Sequence, residues 1–147
     1  MILTAKVYEV AKQTELTSAA LLSQKVGRPV FLKREDLQSV HSFKLRGAYN
    51  KLAHMTAAER DQGVIACSAG NHAQGLALAA SKLGISAKIV MPSGTSEIKW
   101  NAVARLGGEV VLHGVDLFEA KQEALRLAKL ENRVFVHPYA SRTFKCM

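Results

Sequence analysis

A chain of 147 residues with 48% apolar and 22% charged side chains has room for one ordinary domain, and that balance argues against a disordered or fibrous protein. No apolar run approaches the roughly 18–20 residues that cross a bilayer, and charges interrupt the apolar opening MILTAKVYEVAK, which argues against a secretory leader. The net charge of +8 is spread from Lys6 to Lys145 with no basic run longer than two, so it lacks the clustering of a nucleic-acid surface and suits at most a small anionic ligand.

Residues 1–55 read as two short helical stretches, a strand and a helix. The strand is Pro29 to Lys33, with the proline at its tolerated first position. The helix starts near Ser42, where Leu45, Ala48, Tyr49 and Leu52 recur at i, i+3, i+4 and i+7. From Thr56 the pattern becomes a regular alternation. Thr56 and Glu59 form a capping-box pair; Val64 to Cys67 is a short apolar strand; a helix over 71–83 stops at Gly84. Ala87 to Met91 is the next strand, ended by Pro92. A helix over 96–106 follows, with Ile98, Ala102 and Leu106 on one face and Gly107-Gly108 as its stop. Glu109 to Leu112 is a strand. Asp116 and Glu119 cap a helix that carries Leu117, Ala120, Ala124 and Ala128 inward, and Arg133 to Val136 is the last strand. This order predicts an α/β fold, an open parallel sheet of four strands with flanking helices. The tail YASRTFKCM has no periodicity and reads as an end. Cys67 and Cys146 lack any ligand spacing, so we read them as reduced thiols of a cytoplasmic protein and expect no metal site.

Two stretches carry chemistry. HSFKLRGAY places Lys44 directly behind Phe43 at a helix opening. An ordinary lysine amine, with a pKa of about 10.4, is neutral in only about one molecule in a thousand near neutral pH, so nucleophilic use demands burial or a cationic neighbour. The other stretch, SAGNHAQG, follows the first strand of the alternation and opens a helix, where free N–H groups receive anions in parallel sheets. Ser68 and Asn71 read as hydrogen-bonding caps, and Gly70 as the point of close ligand approach. The glycine spacing matches neither a nucleotide P-loop nor a dinucleotide fingerprint. His72 has no second ligand at helical spacing and reads as structural.

Together, FLKREDLQSVHSFKLRGAYNKL, SAGNHAQGLA and IVMPSGTSEIKWNAVARLGGEVVLHG resemble the threonine dehydratases (threonine ammonia-lyases) among the fold-type-II enzymes dependent on pyridoxal 5'-phosphate, across about Val7 to Pro138. VHSFKLRGAY is most similar to the biosynthetic branch, which opens isoleucine synthesis. Serine dehydratases and serine racemases are the neighbouring alternative. The resemblance implies that Lys44 bonds the cofactor aldehyde and serves in catalysis, that Phe43 packs on the pyridine ring, and that Asn71 hydrogen-bonds the ring hydroxyl. The turn Ser68, Ala69, Gly70, Asn71 and His72 would receive the substrate carboxylate. Members of the family are longer, so residues 1–55 read as the opening of a larger domain, 56–138 as the small α/β domain and 139–147 as a divergent tail. Such an N-terminal fragment is expected to be inactive by itself, or to pair with a full-length relative. The full-length form is expected to be a homo-oligomer acting on a small amino acid, without nucleic acid or membrane.

Overall fold

The computed structural model describes residues 5–138; the divergent tail and Cys146 lie outside the described residues. The chain opens with a 3-10 turn at Val7–Glu9. A small antiparallel ribbon then pairs β1 (Leu16–Ser18) with β2 (Phe31–Lys33) around α1 (Ala20–Val26). The sequence reading missed β1, which is three residues long and exposed throughout, too short to show a period of two.

The alternating part follows the expected order closely. It comprises α2 (Lys44–Ala53), α3 (Ala57–Gln62), β3 (Val64–Cys67), α4 (Asn71–Leu83) and β4 (Ala87–Met91). Then come α5 (Glu97–Arg105), β5 (Glu109–Leu112), α6 (Leu117–Leu130) and β6 (Val134–Phe135). The four strands form one parallel sheet in the order β5-β4-β3-β6. Central strands β3 and β4 are buried at every residue, as expected where helices cover both faces of a parallel sheet.

Strand alternation sorts the core into two layers. Val64 and Ala66 face the side covered by α4 and α5, where Leu76, Ala77 and Val103 are fully buried. Ile65 and Cys67 face α6 through Ala120 and Ala124. Helix α2 stacks outside α4, and its Leu45, Ala48, Tyr49 and Leu52 join the first of these cores. The apolar face read for α2 therefore packs on elements that lie beyond residue 56.

Two inward assignments are corrected. Ile98 is 81% exposed, and the buried residue of α5 is Val103, which stands roughly 140° around the helix from Ile98 at 100° per residue. Gly108 explains this contact: a Cβ there would lie 2.8 Å from Val103 Cγ1 and 3.1 Å from Ala77 Cβ, so a bare backbone draws that side of α5 in. Leu117 is 56% exposed and lines the cavity beside the turn after β3, and Leu127 fills the core one turn past Ala124.

Candidate active site

Both singled-out stretches meet at the carboxyl end of β3. Ahead of α2, His41 takes a left-handed conformation (φ 53°), and Ser42 Oγ accepts from the Lys44 N–H at 3.2 Å. The decisive packing involves Gly75, the last residue of SAGNHAQG. A Cβ at Gly75 would lie 3.1 Å from both Leu45 N and Lys44 C. The first turn of α2 thus rests on bare α4 backbone, and this contact brings Lys44 to the turn 24 or more residues downstream in the chain.

Lys44 is half-buried. Its ammonium donates to the Pro138 carbonyl at 3.3 Å and sits 5.4 Å from the centroid of the Phe43 ring. That ring is itself half exposed.

In the turn, Ser68 Oγ accepts from the Gly70 N–H at 3.3 Å. Gly70 is the N-cap of α4 and makes no side-chain bond, while Asn71 is the first helical residue and is exposed. The expected pair of side-chain caps is thereby corrected: Ser68 braces the turn, and Asn71 is the first residue of the helix and not its cap. A Cβ at Gly70 would meet nothing within 4 Å, so the backbone lies open there. The first N–H groups of α4 have no carbonyl within the helix to satisfy them, and they carry the positive end of its dipole.

His72 is buried, with Nε2 3.4 Å from the Val136 carbonyl. Burial holds its pKa below the usual imidazole value, and the charges of Lys44 and His137 push the same way against that hydrogen bond. Cys67 is buried under the turn with its Sγ 3.7 Å from the Leu117 carbonyl. Burial raises its thiol pKa although Lys121 opposes this, which makes it a poor nucleophile. A cavity of about 450 Å³ opens beside the turn between Ser68, Gly70, Leu117, Phe135 and His137. Among the described residues, no group of three or more His, Cys, Asp or Glu side chains could hold a metal ion.

The fold thus sets an amine, an aromatic ring and a helix start together at the strand ends of a parallel α/β sheet. Residues 7–145 match the pyridoxal-phosphate dependent enzyme family, and the chain belongs to it. It is 55% identical to the mitochondrial threonine dehydratase of Schizosaccharomyces pombe over 93% of this chain and 23% of that protein. With a biosynthetic L-threonine dehydratase of Pasteurella multocida the figures are 54%, 94% and 27%. The solved structure of the processed form of threonine deaminase isoform 2 from Solanum lycopersicum superposes with a TM-score of 0.92 at 47% identity, covering 97% of this chain and 39% of that one. Maize serine racemase gives 0.85 at 30%, over 93% and 42%. The chain spans about a quarter of the length of these curated relatives.

The donor set fits the aldehyde and ring ends of pyridoxal phosphate. Lys44 Nζ lies beside the Phe43 ring, and Asn71 stands exposed at the first helical position of α4. The sequence reading singled out these three residues and did not anticipate Gly75 or the carbonyls of Val136 and Pro138. The second glycine of GNHAQG was the available signal for the former; backbone carbonyls leave none.

Proposed function

We propose that this chain carries the reactive lysine and the carboxylate turn of an L-threonine dehydratase, a lyase that converts L-threonine to 2-oxobutanoate and ammonia at the start of isoleucine biosynthesis. The observation that carries this reading is the Gly75 contact, which sets Lys44 beside the Ser68–His72 turn. When bound, pyridoxal phosphate supplies the electron sink that makes loss of an α-proton feasible.

The rest falls to the chain's own residues. Lys44 Nζ would hold the cofactor through its aldehyde, and as a free amine it would take the proton from the substrate Cα. The N–H groups at the start of α4 hold the substrate carboxylate, with Ser68 bracing their turn, and fix the Cα–H toward Lys44. Phe43 would pack against the ring of the cofactor, and Asn71 would hydrogen-bond its hydroxyl. The substrate β-hydroxyl would take up a proton and leave as water, and the released enamine would tautomerise to an imine that water hydrolyses to the keto acid and ammonia.

A chimera tests the reading: residues 1–138 replace the matching segment of the Pasteurella multocida relative. It should release 2-oxobutanoate from L-threonine, and Lys44→Ala should abolish both turnover and the visible absorption of lysine-bound cofactor. Full turnover in the Lys44→Ala chimera would overturn the assignment. L-Serine is assayed in parallel, because the serine racemase likeness supports a second reading in which serine is preferred. A cytoplasmic location and a homo-oligomeric state are proposed with the family resemblance. No described helix is long and apolar enough to cross a membrane, and relatives bear mitochondrial and chloroplastic names as well.

A further inference from the structure

The segment after β6 is held in an unusual way. β6 is only two residues long and, among the described residues, pairs with β3 at the sheet edge. Just past it the Val136 N–H donates to the Ile65 carbonyl at 2.8 Å. Pro138 has no N–H with which to extend that ladder. Yet two carbonyls of this segment meet the two chemical motifs: Val136 O lies 3.4 Å from His72 Nε2, and Pro138 O accepts from Lys44 Nζ at 3.3 Å. His72 and Gly75 are i and i+3 on α4, hence on one face. One face of one helix therefore governs both ends of the lysine: Gly75 seats its backbone, and His72 seats the strap that its ammonium touches.

We propose that His72 is a positioning residue for Lys44, acting through Val136–Pro138, whose carbonyl restrains the amine until it is displaced. The proposal rests on reading Lys44 as the reactive amine. A merely space-filling imidazole would serve the core equally well without its Nε2 contact; a positioning imidazole depends on donating to Val136 O. Gln supplies an N–H donor of similar reach, whereas Ala supplies none.

The test is reductive methylation of the full 147-residue chain with formaldehyde and cyanoborohydride, read lysine by lysine by mass spectrometry. Two internal standards come with the fold. Lys25 and Lys99 are exposed, and Lys88 is buried under Glu131 and Glu109. In His72→Ala, methylation of Lys44 relative to Lys25 and Lys99 should rise about two- to tenfold, the factor one hydrogen bond is worth, while Lys88 stays protected. His72→Gln should keep the parent ratio. An unchanged Lys44 ratio in His72→Ala with Lys88 protected overturns the proposal. So does a rise of Lys44 and Lys88 together in both variants, which would mark general loosening of the core. The probe is independent of the cofactor. Borohydride trapping of pyridoxal phosphate on the parent chain is run alongside, and failure to find it on Lys44 would sink the cofactor reading while leaving the methylation result to stand.

Discussion

Gly75 and Gly70 lie five residues apart in one loop-helix unit and make opposite demands on a side chain. At Gly75 the nearest atoms to an added Cβ are backbone atoms of Lys44 and Leu45 at 3.1 Å, which cannot rotate away. Gly75→Ala should therefore cost about 1–3 kcal/mol as an overpacking change, outweighing the gain in helix propensity of roughly 1 kcal/mol, and should lower the melting temperature. It should also weaken trapping of pyridoxal phosphate on Lys44. At Gly70 the space is open and φ is −140°, outside the left-handed region. Gly70→Ala should leave stability within about 0.5 kcal/mol of the parent, and its effect should appear in substrate affinity. Equal melting temperatures for the two variants would refute this account of the α2–α4 contact. In the chimera, Ser68→Ala should raise the threonine concentration needed for half-maximal rate, because a turn braced by one hydrogen bond loses it.

At the scale of elements, helix starts differ in how their free N–H groups are met. Thr56 and Glu59 form a complete capping box on α3. Asp116 accepts from the Phe118 and Glu119 N–H groups at 2.8 and 2.9 Å. Ser96, at the corresponding position of α5, makes no side-chain cap bond. Thr56→Ala and Asp116→Ala should each lose about 1 kcal/mol, measured by urea denaturation, while Ser96→Ala should lose distinctly less. The first two caps were readable because a capping pair spans only four residues of sequence. The side of α5 that turns inward was not: Ile98 supplied the apolar pattern, but Gly108 and Ala77 supplied the close approach that selected Val103.

Across the whole molecule, two buried basic groups set limits on stability from opposite sides of neutrality. Lys88 on β4 is held by Glu131 at 2.6 Å and Glu109 at 3.1 Å, and Arg133 braces Glu131 at 2.7 Å. Burial lowers the Lys88 pKa, but the two carboxylates more than offset it, and the result lies above the ordinary 10.5. A raised lysine pKa gives stability that is complete below that ordinary value and is lost as pH climbs through the folded value. His72 behaves oppositely. Its pKa is held below 6.5 by burial, so the unfolded chain binds protons first, and stability falls as pH drops below 6.5. Carboxylates such as Glu35, lowered from 4.5 by Arg46, add their loss only at more acid pH. Urea midpoints should therefore decline in two acid stages, and His72→Gln should remove the earlier one. A first stage that persists in His72→Gln would show that another group causes it.

The sequence by itself determined what depends on neighbours a few residues apart. The apolar period of α2, the capping box at Thr56, the stop at Gly84 and the buried runs of β3 and β4 are local, and their alternation restricts the fold to a parallel sheet. The motifs around Lys44 and Asn71 were likewise legible as chemistry. Only the tertiary structure decided how these pieces meet. Lys44 reaches Pro138 across 94 positions, and His72 reaches Val136 across 64, through carbonyls that every residue carries and that no pattern marks. Leu117 lines the cavity and not the core, and Gly75 drew α2 onto α4 because its missing side chain opened room for another backbone. Local preference chooses the elements; bringing distant ones together depends on which surfaces fit once the sheet has formed.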